Sequence, residues 1–183
     1  MPRSMLRRLP IVACALALTA PLGLAACGSK EPGIDEPARE GLAIEMEGVD
    51  YTIFITRELN PRITPDSAYV STEAPSGQAL YGVFLKTCNI SKDERTTATE
   101  FTVRDNQDNT FHPEPLPDDN QFAYAGRTLD PQECIPEAGS VAQLGPTAGA
   151  MLLFQLPLEN TENRPLELEI EHDGQKRTFE LDI

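Results

Sequence analysis

The sequence predicts an all-β protein, an antiparallel β-sandwich of about seven to nine strands in one domain over residues 42–183. Three observations carry this. Apolar residues recur at every second position in several short runs, which puts alternate side chains on opposite faces of a strand. Proline and glycine clusters separate the runs, and no segment sustains a helical period.

Taken in chain order, Tyr51, Ile53 and Ile55 alternate with Thr52, Phe54 and Thr56. The stretch 79–90 carries Tyr81, Val83 and Leu85 in the same rhythm. Phe101-Thr102-Val103 is a further short strand, and 103–111 reads as strand, turn, strand around Asp105 to Asn109. Ala150 to Leu156 is continuously apolar, as suits a central strand buried on both sides. Leu166, Leu168 and Ile170 alternate with Glu167, Glu169 and Glu171, and Phe179, Leu181 and Ile183 alternate with Glu180 and Asp182. Asp173-Gly174 between them tolerates positive φ, so 165–171 and 176–183 form a hairpin with one acidic and one aliphatic face. Asn60-Pro61, Thr64-Pro65, 74–77, His112-Pro113 through Pro117, and Gly145-Pro146 are connections, because proline removes a ladder donor. One helical turn is expected around Asp118 to Ala123. The spacing suits an immunoglobulin-like sandwich, although the chain has no tryptophan to supply that fold's buried indole.

Ahead of this body, Arg3, Arg7 and Arg8 precede an apolar run from Ile11 to Leu22. The run is too short and too broken to span a bilayer, which takes about 20 apolar residues, and it has the form of an export leader. It ends in Leu24-Ala25-Ala26-Cys27, which resembles a bacterial lipobox. The resemblance implies a signal peptide over residues 1–26, cleaved before a diacylated Cys27. The chain would then be lipid-anchored to the cell membrane and face outside the cytoplasm. Residues 27–41 are acidic and contain Pro32 and Pro37, with too little apolar content to order themselves, so they read as a disordered tether.

With Cys14 lost in the leader and Cys27 acylated, Cys88 and Cys134 remain, and an even pair in an exported domain is most simply a disulfide. The whole chain has a formal net charge of −14, and loss of Arg3, Arg7 and Arg8 takes it to −17. That excess repels phosphate backbones, so nucleic acid is not expected as a partner.

No catalytic residue emerges. There is no Gly-x-Ser-x-Gly, and Gly139-Ser140-Val141 and Pro75-Ser76-Gly77 read as turns. His112 stands before a proline and His172 beside a turn, positions of solvated histidines. No cofactor is expected and no metal site is assigned. Asp105 to Asn109 is rich in oxygen ligands but departs from the EF-hand pattern at Thr110 and Leu116. A copper set of His112, His172, Cys88 and Met151 is scattered along the chain, unlike the usual late loop.

The lipobox, the acidic tether, Cys88-Asn89 at a strand exit, Phe101, Val103 and Asp105 in a hairpin, and a late apolar strand ending Leu156-Pro157-Leu158 together resemble the immunoglobulin-like domain of unknown function in many bacterial lipoproteins. The resemblance spans about residues 48–183 and departs in lacking a glycine between Asp105 and Asn109. It implies the fold and the anchored location, and carries no catalytic residues. The functional expectation is a non-enzymatic interaction module for an envelope or extracellular protein, with loops 57–78 and 112–130 gathered at one end of the sandwich and Phe111, Phe122 and Tyr124 as candidate contacts. The alternative is a carrier of a small ligand or of calcium or copper.

Overall fold

Alternating Leu-Glu-Leu-Glu-Ile sequence and a turn able to take positive φ produce the hairpin at the C-terminus. In the computed structural model, which describes residues 30–183, strand β11 (Leu166–His172) pairs with β12 (Gln175–Leu181), with Leu168 opposite Phe179. Asp173 and Gly174 turn the chain at φ of 48° and 76°, the left-handed pair that a two-residue hairpin needs. The earlier strands are β1 (Ala38–Arg39), β2 (Ala43–Met46), β3 (Val49–Leu59), β4 (Gln78–Asn89), β5 (Arg95–Thr96), β6 (Glu100–Arg104), β7 (Thr110–Phe111), β8 (Thr128–Leu129), β9 (Cys134–Ile135) and β10 (Ala150–Pro157).

Two sheets face each other. One has the order β1-β12-β11-β6-β7, and the other β10-β4-β3-β2, with β9 lying beside the end of β4. A small ribbon, β5-β8, stands apart. All pairings are antiparallel except β1 with β12. Ile53, Val83, Leu85, Phe154 and Leu156 of one sheet share a core with Phe101, Val103, Leu168, Ile170 and Phe179 of the other. The disulfide expected from cysteine counting is present: Cys88 and Cys134 lie directly opposite each other on β4 and β9, with Cα atoms 4.1 Å apart.

Several expectations need correction. The stretch read as a tether is docked from residue 30 onward: Thr178 N–H donates to Gly33 O at 3.0 Å, Ala38 is 1% exposed, and β1 extends the sheet beside Phe179 and Glu180. Composition argued for disorder because few side chains there are apolar, but adding to a sheet edge uses backbone groups that every residue carries. Ile55 does not share a face with Tyr51 and Ile53. A bulge between Ile53 and Ile55 turns Ile55 outward, 40% exposed, and Thr56 inward, 3% exposed.

The run at 150–156 is buried on both faces as expected, yet β10 borders its sheet rather than lying in its middle. Its free edge is covered by loop residues, which bridge Glu114 to Leu153 and Ala123 to Met151. Finally, residues 118–123 form turns, not a helical turn. Helical turns occur instead at Asp66–Ala68, at α1 (Val141–Leu144) and at α2 (Leu158–Thr161).

The loops also sit elsewhere than expected. Leu59, Leu80, Phe84, Met151 and Leu153 point away from the main core and form a second apolar cluster with Tyr69, Val70, Phe122 and Ala142. Segments 60–75, 113–124 and 141–148 therefore lie across the outer face of the β10-β4-β3 sheet as a third layer, rather than collecting at one end of the sandwich.

Candidate functional site

A proline-rich strap produces one of two equally large concavities among the described residues. Pro113, Pro115 and Pro117 have no N–H to donate, so this segment cannot lie down along β10 as a full strand. It hydrogen-bonds β10 where the Glu114 N–H donates to Leu153 O at 2.7 Å. The chain next rejoins β10 at Tyr124, whose N–H donates to Met151 O at 2.9 Å, while Met151 N–H donates to Phe122 O at 2.6 Å. Between these clasps opens a cleft of about 560 Å³, walled by Thr99 and Phe101, the strap, 123–126 and Met151–Leu153. A smaller cleft of about 240 Å³ lies on the far side of the same strap, against Tyr69–Glu73.

The cleft wall is rigid where aromatic rings and a glycine set it. Tyr124 stacks edge-on with Phe101 at 5.1 Å between centroids, and its hydroxyl donates to Ala98 O at 2.9 Å. At the preceding peptide, Ala98 N–H donates to the Tyr51 hydroxyl oxygen at 2.7 Å. Burial pushes both phenols above the ordinary tyrosine range, so they serve as neutral hydrogen-bonding groups. Gly126 presses on the same link between β5 and β6: a Cβ there would sit 2.7 Å from Thr99 Cγ2 and 2.9 Å from Ala98 O. Glu114 and Asp118 bring negative charge to the strap side.

Of the candidate contact residues, only Tyr124 lines this cleft. Phe122 is 7% exposed and packs edge-on against Tyr69 at 4.6 Å, and Phe111 packs against the main core. Both consolidate the fold. Thr99, Leu116 and Gly126 belong to the site without having been legible, since nothing in their local sequence marks a strap crossing a sheet edge.

The residues weighed for metal binding have other tasks. Asp105 is 3% exposed, and its two carboxylate oxygens accept from the backbone N–H of Gln107 and Asn109 and from the side-chain amides of Asn109, Asn160 and Asn163, all at 2.8 to 3.0 Å. Burial alone would raise its pKa, but these donors outweigh it and hold the carboxyl well below the usual range. Its oxygens are filled by N–H groups. Cys88 is tied up in the disulfide. His112 Nδ1 lies 3.4 Å from Thr102 Oγ1, while His172 sits beside Asp173 at 3.5 Å. Among the described residues no three His, Cys, Asp or Glu side chains cluster as a metal site would require. Cys27 lies outside the described residues.

A second concavity of about 560 Å³ lies by the disulfide, between Phe54, Lys86, Cys134, Pro136, Ala138 and Gly149. The bulge in β3 leaves Phe54 41% exposed on its rim.

No protein-family model matches the chain, and no curated protein matches it. Among solved structures it is similar to an uncharacterized β-sandwich protein from Clostridium difficile 630, at 19% identity over 83% of this chain and 100% of that one, with a TM-score of 0.47. It is similar also to the yjhA protein from Bacillus subtilis, at 10% identity over 79% of this chain and 98% of that one, with a TM-score of 0.46. A third similar structure is ycdA, a candidate lipoprotein from Bacillus subtilis subsp. subtilis str. 168, at 15% identity over 76% of this chain and 38% of that one, with a TM-score of 0.47.

Proposed function

We propose that this chain is a lipid-anchored, extracytoplasmic β-sandwich of immunoglobulin-like topology that works without catalysis and holds a partner protein of the envelope in the cleft under the proline-rich strap. The observation that carries the reading is that cleft: about 560 Å³, with the half-buried Tyr124 on its wall held in place by the buried Phe101 ring. A fixed aromatic side chain on a strand framework is what recognition surfaces use. The topology is supported by the order β7-β6-β11-β12, with β1 parallel to β12. An intact disulfide suits an oxidising compartment, and the lipobox-like run ending at Cys27 supplies the membrane partner.

Glu114 and Asp118 favour a partner that presents cationic side chains to the strap. A second reading, a small-ligand carrier, is favoured by the cleft's volume, which falls within the roughly 300–1,000 Å³ of small-molecule sites. In-cell cross-linking of the wild-type chain and of an E114K/D118K variant separates these. Partner capture by the wild type and its loss in a variant with unchanged circular dichroism supports the first reading. A small molecule retained in native mass spectrometry, with no protein cross-link, supports the second. An empty chain in both measurements sinks both.

A further inference from the structure

We infer that the sandwich stands on the bilayer by one end, the end bearing the β2–β3, β4-exit and β11–β12 connections, so that the lipid headgroup surface is the partner of that end. This rests on the anchored reading of Cys27, and the argument is one of chain length. Residues 30–36 are folded back on the body: Lys30 pairs with Glu36 at 3.3 Å, Gly33 N–H donates to Glu36 O at 2.6 Å, and Gly33 O accepts from Thr178 N–H at 3.0 Å. Two residues, Gly28 and Ser29, separate Cys27 from Lys30, and the three extended steps between them reach at most about 11 Å.

Which end lies within that leash follows from strand direction. Because β1 runs parallel to β12, the chain arrives from the end where β12 begins, beside the Asp173-Gly174 turn. Gln175 hydrogen-bonds Glu47 of the β2–β3 turn, and Ile90 N–H donates to Gly48 O at 3.0 Å, so these connections share that end. From there β3 runs 11 residues to Leu59, about 35 Å at strand rise. The leash is therefore about a third of the body's length, and the far end with Asn60–Ile63 stands clear of the surface. A free tether over 27–41 would have reached about 50 Å and left the body free to tumble.

One further feature agrees. Ile34, 51% exposed in the docked turn, offers an apolar side chain to the bilayer.

The absence of tryptophan makes a direct test available. The full lipidated chain, carrying either Ile90→Trp or Ile63→Trp, is placed in vesicles that contain a nitroxide-headgroup phospholipid. These isoleucines are 54% and 55% exposed and mark opposite ends. The expected result is quenching several times stronger for I90W than for I63W. A flexible Gly-Ser insertion after Gly28 should erase that difference. Equal quenching in the two uninserted variants, with Cys27 diacylated by mass spectrometry, overturns the orientation alone. An unmodified Cys27 removes both anchor and orientation.

Discussion

At Gly82 the outer face of β4 leaves no room for a side chain. A Cβ there would lie 2.8 Å from Phe84 Cε2, 3.1 Å from Leu59 Cδ1 and 3.2 Å from Met151 Sδ. Gly82→Ala should therefore destabilise the fold by about 1–3 kcal/mol, the usual cost of overpacking, read as a lower denaturant midpoint. Asp105 controls the acid side of the stability profile. Its folded pKa is depressed below the unfolded 3.8, so its contribution is present above that value and is lost as pH falls through the folded one. Glu169 acts in the same direction: burial raises its pKa, but Lys176 and Arg104 bring it down. Glu167 opposes them, because burial and then Glu180 and Glu169 raise its pKa, so its ionisation costs stability above its unfolded value and acid relieves that cost. Denaturant unfolding followed from about pH 6 to about pH 3 should show stability falling in the wild type, more shallowly in Asp105→Asn and more steeply in Glu167→Gln.

The bulge in β3 has a measurable consequence at the level of the strand. It carries Thr56 into the interior, where its Oγ1 is buried without a hydrogen-bond partner. Thr56→Val keeps the shape and removes the orphaned hydroxyl, so it should stabilise by about 1 kcal/mol, visible as a raised melting temperature. The bulge also explains where sequence reading stopped. Alternation at Tyr51, Thr52 and Ile53 was legible because side chains obey the two-residue period. The extra residue that breaks the period at Phe54 leaves no mark in composition. The β11–β12 hairpin was fully legible because turn and strands argued together. β10 was half legible: its apolar run announced two buried faces, but whether a sheet neighbour or a loop covers the border depends on contacts with 114 and 123.

For the molecule as a whole, the Cys88–Cys134 link closes a loop spanning 46 positions, which chain-entropy reasoning values at about 4 kcal/mol. Reduction should lower the unfolding free energy by an amount of that order, measured by denaturant melts with and without reductant. An unchanged midpoint would refute it. The two-layer architecture and the disulfide were legible, because periodicity and cysteine parity are local counts. The third layer was not. Leu80, Phe84 and Leu153 fill the positions that a one-sided strand would leave polar, and their significance emerges only when loops 60–75 and 113–124 fold over them. The cleft depends on the same event, so its walls could not be read from any single segment.

The borders of the sheets hold one more implication. β1 and β7 are two residues long, β2 is four, and β10 is roofed by the strap. Such short or covered borders are poor templates for a neighbouring copy to zip up strand by strand, so among the described residues the margin left for fibril growth is the part of β3 beyond Thr52, which β2 does not reach.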